Sequence, residues 1–417
     1  VAKGEGVGRL SRIAERNAAV ATDRFSRKRD AILDASTEIL NRRGVKGLTL
    51  GVAAAAVGLS TTSVTYYFKR KDDLAAACIL RGIDWLGEMV AAALTEPTPE
   101  TRLYRLLSEN LDRLRLTAAG EAPAMPVMAD ILALNEPQRS EVVGAYVKLF
   151  RKARGLFDAQ ELAGLSHGRR TARTHVLLEQ LHWAPAWIHR YDPQDYGQVR
   201  DRMFAILVEG LAPVGASWAP TPLPLAEAGE SEARETFLVA ATKLINTRGY
   251  RGASVDKISA ELNVTKGSFY HHNDAKDDLV VACFNRTFDV VRKAQRLASH
   301  LPADRWTQLV SAAAALAEHQ LSDHGPLLRT AALSALPEPI RREMLSQAAR
   351  ISDRFAEMIS EGVVEGSIRP VDPTIASHML NATVNAGADL GFWVRGVSSR
   401  AAPAVFVRPF LMGIFGL

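Results

Sequence analysis

The sequence predicts an all-α protein built from two related halves. Three observations carry that expectation. The segment "GLSTTSVTYYFKRKDDL" at residues 58 to 74 returns in looser form as "NVTKGSFYHHNDAKDDL" at 263 to 279, and the shared KDDL is displaced by 205 residues in a chain of 417. Apolar residues fall at helical spacing in both halves, each time stopped by a glycine pair. No stretch reads as a convincing strand.

Composition bounds the class. At this length about two to four compact units are expected. A content of 47% hydrophobic and 23% charged residues is that of a soluble globular protein. The net charge of +5 is mild, but residues 1 to 50 alone hold 11 Lys and Arg against 6 Asp and Glu, so the excess base sits beside the first motif. Two cysteines cannot build a disulfide framework and suit a reducing cytoplasm. Cys78 and Cys283 also lie 205 apart, which marks them as equivalent, small, buried residues. The apolar C-terminal run "PAVFVRPFLMGIFGL" contains Arg408 and is shorter than the roughly 20 residues that span a bilayer, so it reads as a core or interface helix. No secretory h-region with a cleavage site precedes the first motif, and the expected location is cytoplasmic.

Taken in order, the elements are as follows. Residues 1–24 form a basic extension whose arginines are placed to reach phosphates or a minor groove, or else form a frayed tail. Residues 25–75 form a first head. Ile32, Leu33, Ser36, Ile39 and Leu40 give its first helix an apolar face, "RRGVKG" stops it, and Thr49 and Ser60 are N-caps for a second and a third helix. A helical domain follows at 76–212. Residues 211 to 232 collect prolines, glycines and small polar residues, which places a semi-extended linker at 213–230. The second head, 231–280, repeats the pattern with Phe237, Leu238, Ala241, Leu244 and Ile245, the stop "TRGYRG", and caps at Ser254 and Thr265. A second helical domain fills 281–417. Residues 29 to 78 align with 234 to 283 without a gap, with 16 identities in 50 positions. Beyond them the echo weakens, with Pro126 and Pro137 spaced like Pro326 and Pro337 and Asp192-Pro193 matching Asp372-Pro373.

A short helix, a turn through "VGL" or "LNV", and a second short helix is the layout of a helix-turn-helix, whose second helix enters the major groove. "STTSVTYY" offers hydroxyls to base edges and phosphates. "TKGSFYHH" adds Lys266 for phosphate or guanine and Gly267 for close approach. From these residues each half resembles a TetR-family transcriptional regulator, whose signature runs through an apolar helix, "RG", a Thr or Ser cap, a small-residue turn and a Tyr-x-Tyr/His-Phe-x-x-Lys-x-x-Leu segment. The resemblance covers about 50 residues of each half and implies DNA contacts. In the first head these are Thr49, Ser60, Thr61, Thr62, Ser63, Thr65, Tyr66, Tyr67 and Lys71. In the second they are Ser254, Thr265, Lys266, Gly267, Ser268, Tyr270, His271, His272 and Lys276. Each head departs from the signature once: its tyrosine is Tyr270 but Thr65, and its phenylalanine is Phe68 but Asn273.

The resemblance further implies a helical ligand-binding and dimerisation domain behind each head, and therefore an intrachain pseudo-dimer that reads an operator with two unlike half-sites. A small-molecule inducer, apolar in character, would release it. Aromatic residues at helical spacing, His182, Trp183, Trp187, Phe392 and Trp393, are the candidate ligand contacts, beside a plain core or interface role. Enzyme constellations are missing: there is no G-x-S-x-G, H-E-x-x-H or C-x-x-C. "GEGVG" at 4 to 8 follows no strand, and the adjacent His271 and His272 diverge on a helix. No cofactor or metal is expected. The competing reading is an interaction or ligand-sensing protein whose heads no longer bind DNA.

Overall fold

The computed structural model describes residues 5–225, 232–252, 260 and 276–416, and all regular structure among them is helical. In the first half α1 spans Glu5–Gly47, α2 Leu50–Ala56, α3 Thr61–Tyr67, α4 Lys71–Ala93 and α5 Pro99–Ala118. A 3-10 segment at Met128–Ala133 leads to α6 (Gln138–Ala153), α7 (His167–Trp187) and α8 (Tyr196–Glu209). In the second half α9 is Glu232–Gly252, α10 Lys276–Ser299 and α11 Arg305–Gln320. A second 3-10 segment at Thr330–Ala335 precedes α12 (Glu338–Glu365), α13 (Pro373–Ala386), α14 (Leu390–Trp393) and α15 (Arg408–Met412).

The predicted apolar faces are the buried ones. Ile32, Leu33, Ser36 and Leu40 are buried on α1, as are Leu238, Ala241, Leu244 and Ile245 on α9. Helical geometry ends at Gly44 (φ 63°, ψ 178°) and at Gly249 (φ 66°, ψ 172°). That region is essentially restricted to glycine, which explains why both copies keep "RG". The acidic pair of KDDL sits in the first turn of α4 and of α10, where it complements the helix dipole. Arg70 N donates to Asp73 Oδ2 at 3.1 Å, closing the start of α4. Cys78 and Cys283 are free and fully buried, and their thiols point at the carbonyls of Leu33 and Leu238, themselves 205 apart.

The halves are joined through α7 and α13. Gln180 Nε2 donates to Met379 O (3.2 Å) and Thr383 Oγ1 (3.0 Å), and His175 Nε2 donates to Ala386 O (2.8 Å). Buried Arg173 donates from Nε to Ile414 O at 2.7 Å, and Leu211 N donates to Leu411 O at 2.8 Å. Gly210 (φ 70°) permits this approach, because a Cβ there would stand 2.4 Å from Leu411 O. The C-terminal run buries Phe406, Val407, Phe410, Leu411 and Ile414, as an interface element should.

One expectation changes. Asp372 caps α13, accepting from Ile375 N at 3.0 Å, whereas Asp192-Pro193 opens a short turn before α8, so the two dipeptides serve different helices. The reason is local: the first half places two 3-10 turns between α6 and α7, where the second continues α12 for 28 residues. α7 runs on through Pro185. The stretch 211–225 carries no helix, turns at Gly215 (φ 81°) and is fastened to the second half. Ser217 O accepts from Trp306 Nε1 (3.2 Å), and Thr221 N donates to Ser311 Oγ (2.8 Å).

Candidate nucleic-acid interface

The first head is assembled by its caps. Thr49 Oγ1 accepts from Val52 N at 3.1 Å, and Ser60 Oγ accepts from Ser63 N at 3.2 Å. Between α2 and α3 the chain turns at Gly58 (φ 65°), and Leu59 N returns to Ala54 O at 2.9 Å. Val64 and Phe68 are buried and pin α3 to the head. The opposite face, Ser60, Thr61, Thr62, Thr65 and Tyr66, is exposed, while Ser63, Tyr67 and Lys71 are half-buried.

This arrangement sorts the hydroxyls. Those of Thr49 and Ser60 are engaged as caps, and Thr65 Oγ1 donates to Thr61 O at 2.9 Å. Thr61 and Thr62 stand exposed on the first turn of α3. Tyr66 is 75% exposed, and Phe25 on α1 packs against Tyr67 (ring centroids 4.7 Å) and Tyr66 (6.0 Å). The residues that sequence reasoning missed here are Phe25, which braces the tyrosines, and exposed Lys69 and Arg70 beyond α3. The aromatic and cationic residues straight before and after the motif were the available signal. Ser254, Thr265, Lys266, Gly267, Ser268, Tyr270, His271 and His272 lie outside the described residues, and Lys276 opens α10.

The ligand candidates divide. Trp393 stacks on Phe150 of the other half (3.7 Å, 8°), beside Tyr146, which in turn faces His182 at 5.7 Å. Trp187 is buried elsewhere in the interface, stacked on His378 (5.4 Å, 5°), and Phe392 is 65% exposed. Next to the first group lies a half-buried ionic cluster that the sequence did not announce. Arg329 Nη2 stands 3.6 Å from Glu179 Oε1 and its Nη1 bonds Asp389, while His182 Nδ1 is 3.8 Å from Glu179. Burial pushes the Glu179 carboxyl up, but His182 and the Arg329 guanidinium overcome it and hold it at about 2. Burial lowers the His175 imidazole below its ordinary value, against the pull of Glu179 and Asp389. His175 Nδ1, His182 Nε2, Trp183 Nε1 and Arg329 Nε have no hydrogen-bond partner among the described residues. An open groove between α5 and α8, lined by Glu100, Tyr104, Glu109 and Phe204, holds none of the aromatic candidates. Among the described residues no group of His, Cys, Asp and Glu is placed to hold a metal, and no helix is long and apolar enough to cross a membrane.

Two short helices at a tight turn, behind a glycine-stopped helix and ahead of a helical bundle, define a helix-turn-helix protein. Residues 32–78 and 237–283 both match the model of the bacterial regulatory proteins of the tetR family. The chain therefore carries two domains of the tetR N-terminal type, in tandem. It is similar to the HTH-type transcriptional regulator BetI of Serratia proteamaculans (strain 568), with 28% identity over 114 residues, 27% of this chain and 57% of that protein. It is also similar to the transposon Tn10 TetC protein of Escherichia coli, with 38% identity over 52 residues, 12% of this chain and 26% of that protein. The chain thus spans less than two thirds of either relative. Among solved structures, AibR in complex with isovaleryl coenzyme A and operator DNA matches 44% of this chain and 100% of its own, at 22% identity and a TM-score of 0.33.

Proposed function

We propose that this chain is a ligand-responsive transcriptional repressor that binds one operator through its two fused heads, as an intrachain pseudo-dimer. The observation that carries the reading is the pairing of two TetR-type domains on one chain whose halves are bonded through α7 and α13. In the first head the DNA-facing residues are Thr61, Thr62, Tyr66 and Lys69, with Thr49 and Ser60 shaping the helices that present them. The second head has a different third-helix sequence, so its preferred half-site differs. Since a homodimer mirrors its symmetry in a palindrome, two unlike heads favour an operator without that symmetry.

The inducer region is the neighbourhood of His182, Trp183 and Trp393, where unpartnered polar atoms meet stacked rings between the halves. An inducer acts only through unequal affinity for the DNA-competent and incompetent states. A hundredfold shift between them requires about 2.7 kcal/mol of differential binding. Selection of bound duplexes from a randomised pool at moderate salt tests the proposal. Two unlike half-sites in the winners support it. A perfect palindrome, or no enrichment with a flat salt dependence, contradicts it, the latter in favour of an interaction protein without DNA contacts.

A further inference from the structure

Asn41 and Asn246 occupy equivalent positions on the first helices of the two heads. Each grips the stretch before its own half's 3-10 segment with both ends of its amide. Asn41 Nδ2 donates to Met125 O at 2.8 Å, and its Oδ1 accepts from Val127 N at 2.8 Å. Asn246 Nδ2 donates to Leu327 O at 2.9 Å, and its Oδ1 accepts from Arg329 N at 3.0 Å. A carbonyl on one side and an N–H on the other leave each amide a single workable orientation.

The clamps are alike, but the residues they hold are not. Val127 is 41% exposed and carries no charge. Arg329 turns its guanidinium into the interface, to Asp389 of its own half and to Glu179 on α7 of the other. Glu179 is 8% exposed, and the chain continues from Arg329 into Thr330, whose N–H donates to Asn385 Oδ1 at 3.0 Å beside α13. A path of one hydrogen bond and one ion contact therefore runs from α9 through Asn246 and Arg329 to α7, and the first half has no ionic counterpart at Val127.

We propose that Arg329 is a positioning residue for the second head: it ties α9 to α7 across the interface, so that rearrangement of that interface moves the second head through an ionic link without counterpart in the first, whose α1 meets the other half through an exposed hydrogen bond from Arg341 Nη1 to Arg42 O (2.9 Å). The physical basis is the cost of leaving Glu179, which is only 8% exposed, without the opposite charge of Arg329 that stands 3.6 Å from it. An equilibrium between two interface states then biases the element bonded to it.

The proposal deepens the functional reading, but its test does not depend on DNA. Amide hydrogen exchange is measured on the full chain without DNA, for α9 at 238–246 and for the matching turn of α1 at 33–41. Arg329→Met is expected to speed exchange in α9 about tenfold or more while α1 stays within about twofold, and Arg329→Lys to retain most of the protection. Asn41→Ala is expected to loosen α1 alone. Should Arg329→Met fail to fold, Glu179→Gln, which removes only the charge across the interface, makes the same comparison. Equal acceleration in both helices would mean general loosening and would overturn the proposal, as would no change in α9. The duplex selection decides the DNA-binding reading separately.

Discussion

Hydroxyls on neighbouring turns of the first head do different work, and substitution separates them. Ser60 caps α3, so Ser60→Ala is expected to lower stability by about 0.5–2 kcal/mol in urea unfolding. Thr62 is exposed on the presented face, so Thr62→Ala is expected to leave stability unchanged and to weaken binding to the selected duplex by about 1–3 kcal/mol if it meets a base. The reverse pattern would exchange their assignments. Gly44→Ala forces a side chain into a backbone region reserved for glycine and is expected to cost about 1–3 kcal/mol, read from the same unfolding curves. Residues of this kind were legible in sequence, because a helix stop and an N-cap are dictated by chain-local chemistry. Asn41 and Asn246 are among the identities of the repeat, yet their partners lie 80 or more residues away, and nothing local distinguishes such an asparagine from a solvated one.

Elements were readable wherever a period marks them. The apolar faces of α1 and α9 and the turn between α2 and α3 follow from spacing alone. The packing of α7 on α13 did not, because α7 is buried over nearly its whole girth and includes Arg173, His175, Glu179 and Gln180, each of which takes a polar partner from the other half. That interface carries a pH signature. Burial, aided by the charge of Arg190, lowers the His378 imidazole from 6.5 to about 4. Between these values the unfolded chain takes up a proton that the folded one refuses, so stability falls as pH drops from 6.5 to 4 and is unaffected by this group above 6.5. His378→Gln is expected to flatten the loss of stability over that window, measured as urea midpoints. An unaltered slope would remove His378 from the account. At the other end of the interface, Trp183→Phe is expected to weaken induction while sparing DNA affinity, in titrations of the bound complex with inducer.

At the scale of the whole molecule, the displacement of 205 residues makes the tandem architecture legible from the chain's own repeat, and the two family matches keep the same register. The asymmetry between the halves was not legible, since it arises from the turns after α6, the fastened linker and a charge at Arg329 where the first half has Val127. In the proposed arrangement, one head engaging DNA holds the other at a high effective concentration over the neighbouring groove, with no second chain required. The most direct test of that claim is the mass of the complex in solution, by sedimentation at equilibrium with a selected duplex in excess. The account predicts one 45.3 kDa chain per duplex. Two chains per duplex, with no one-chain complex at any concentration, would contradict it and assign recognition to pairs of chains.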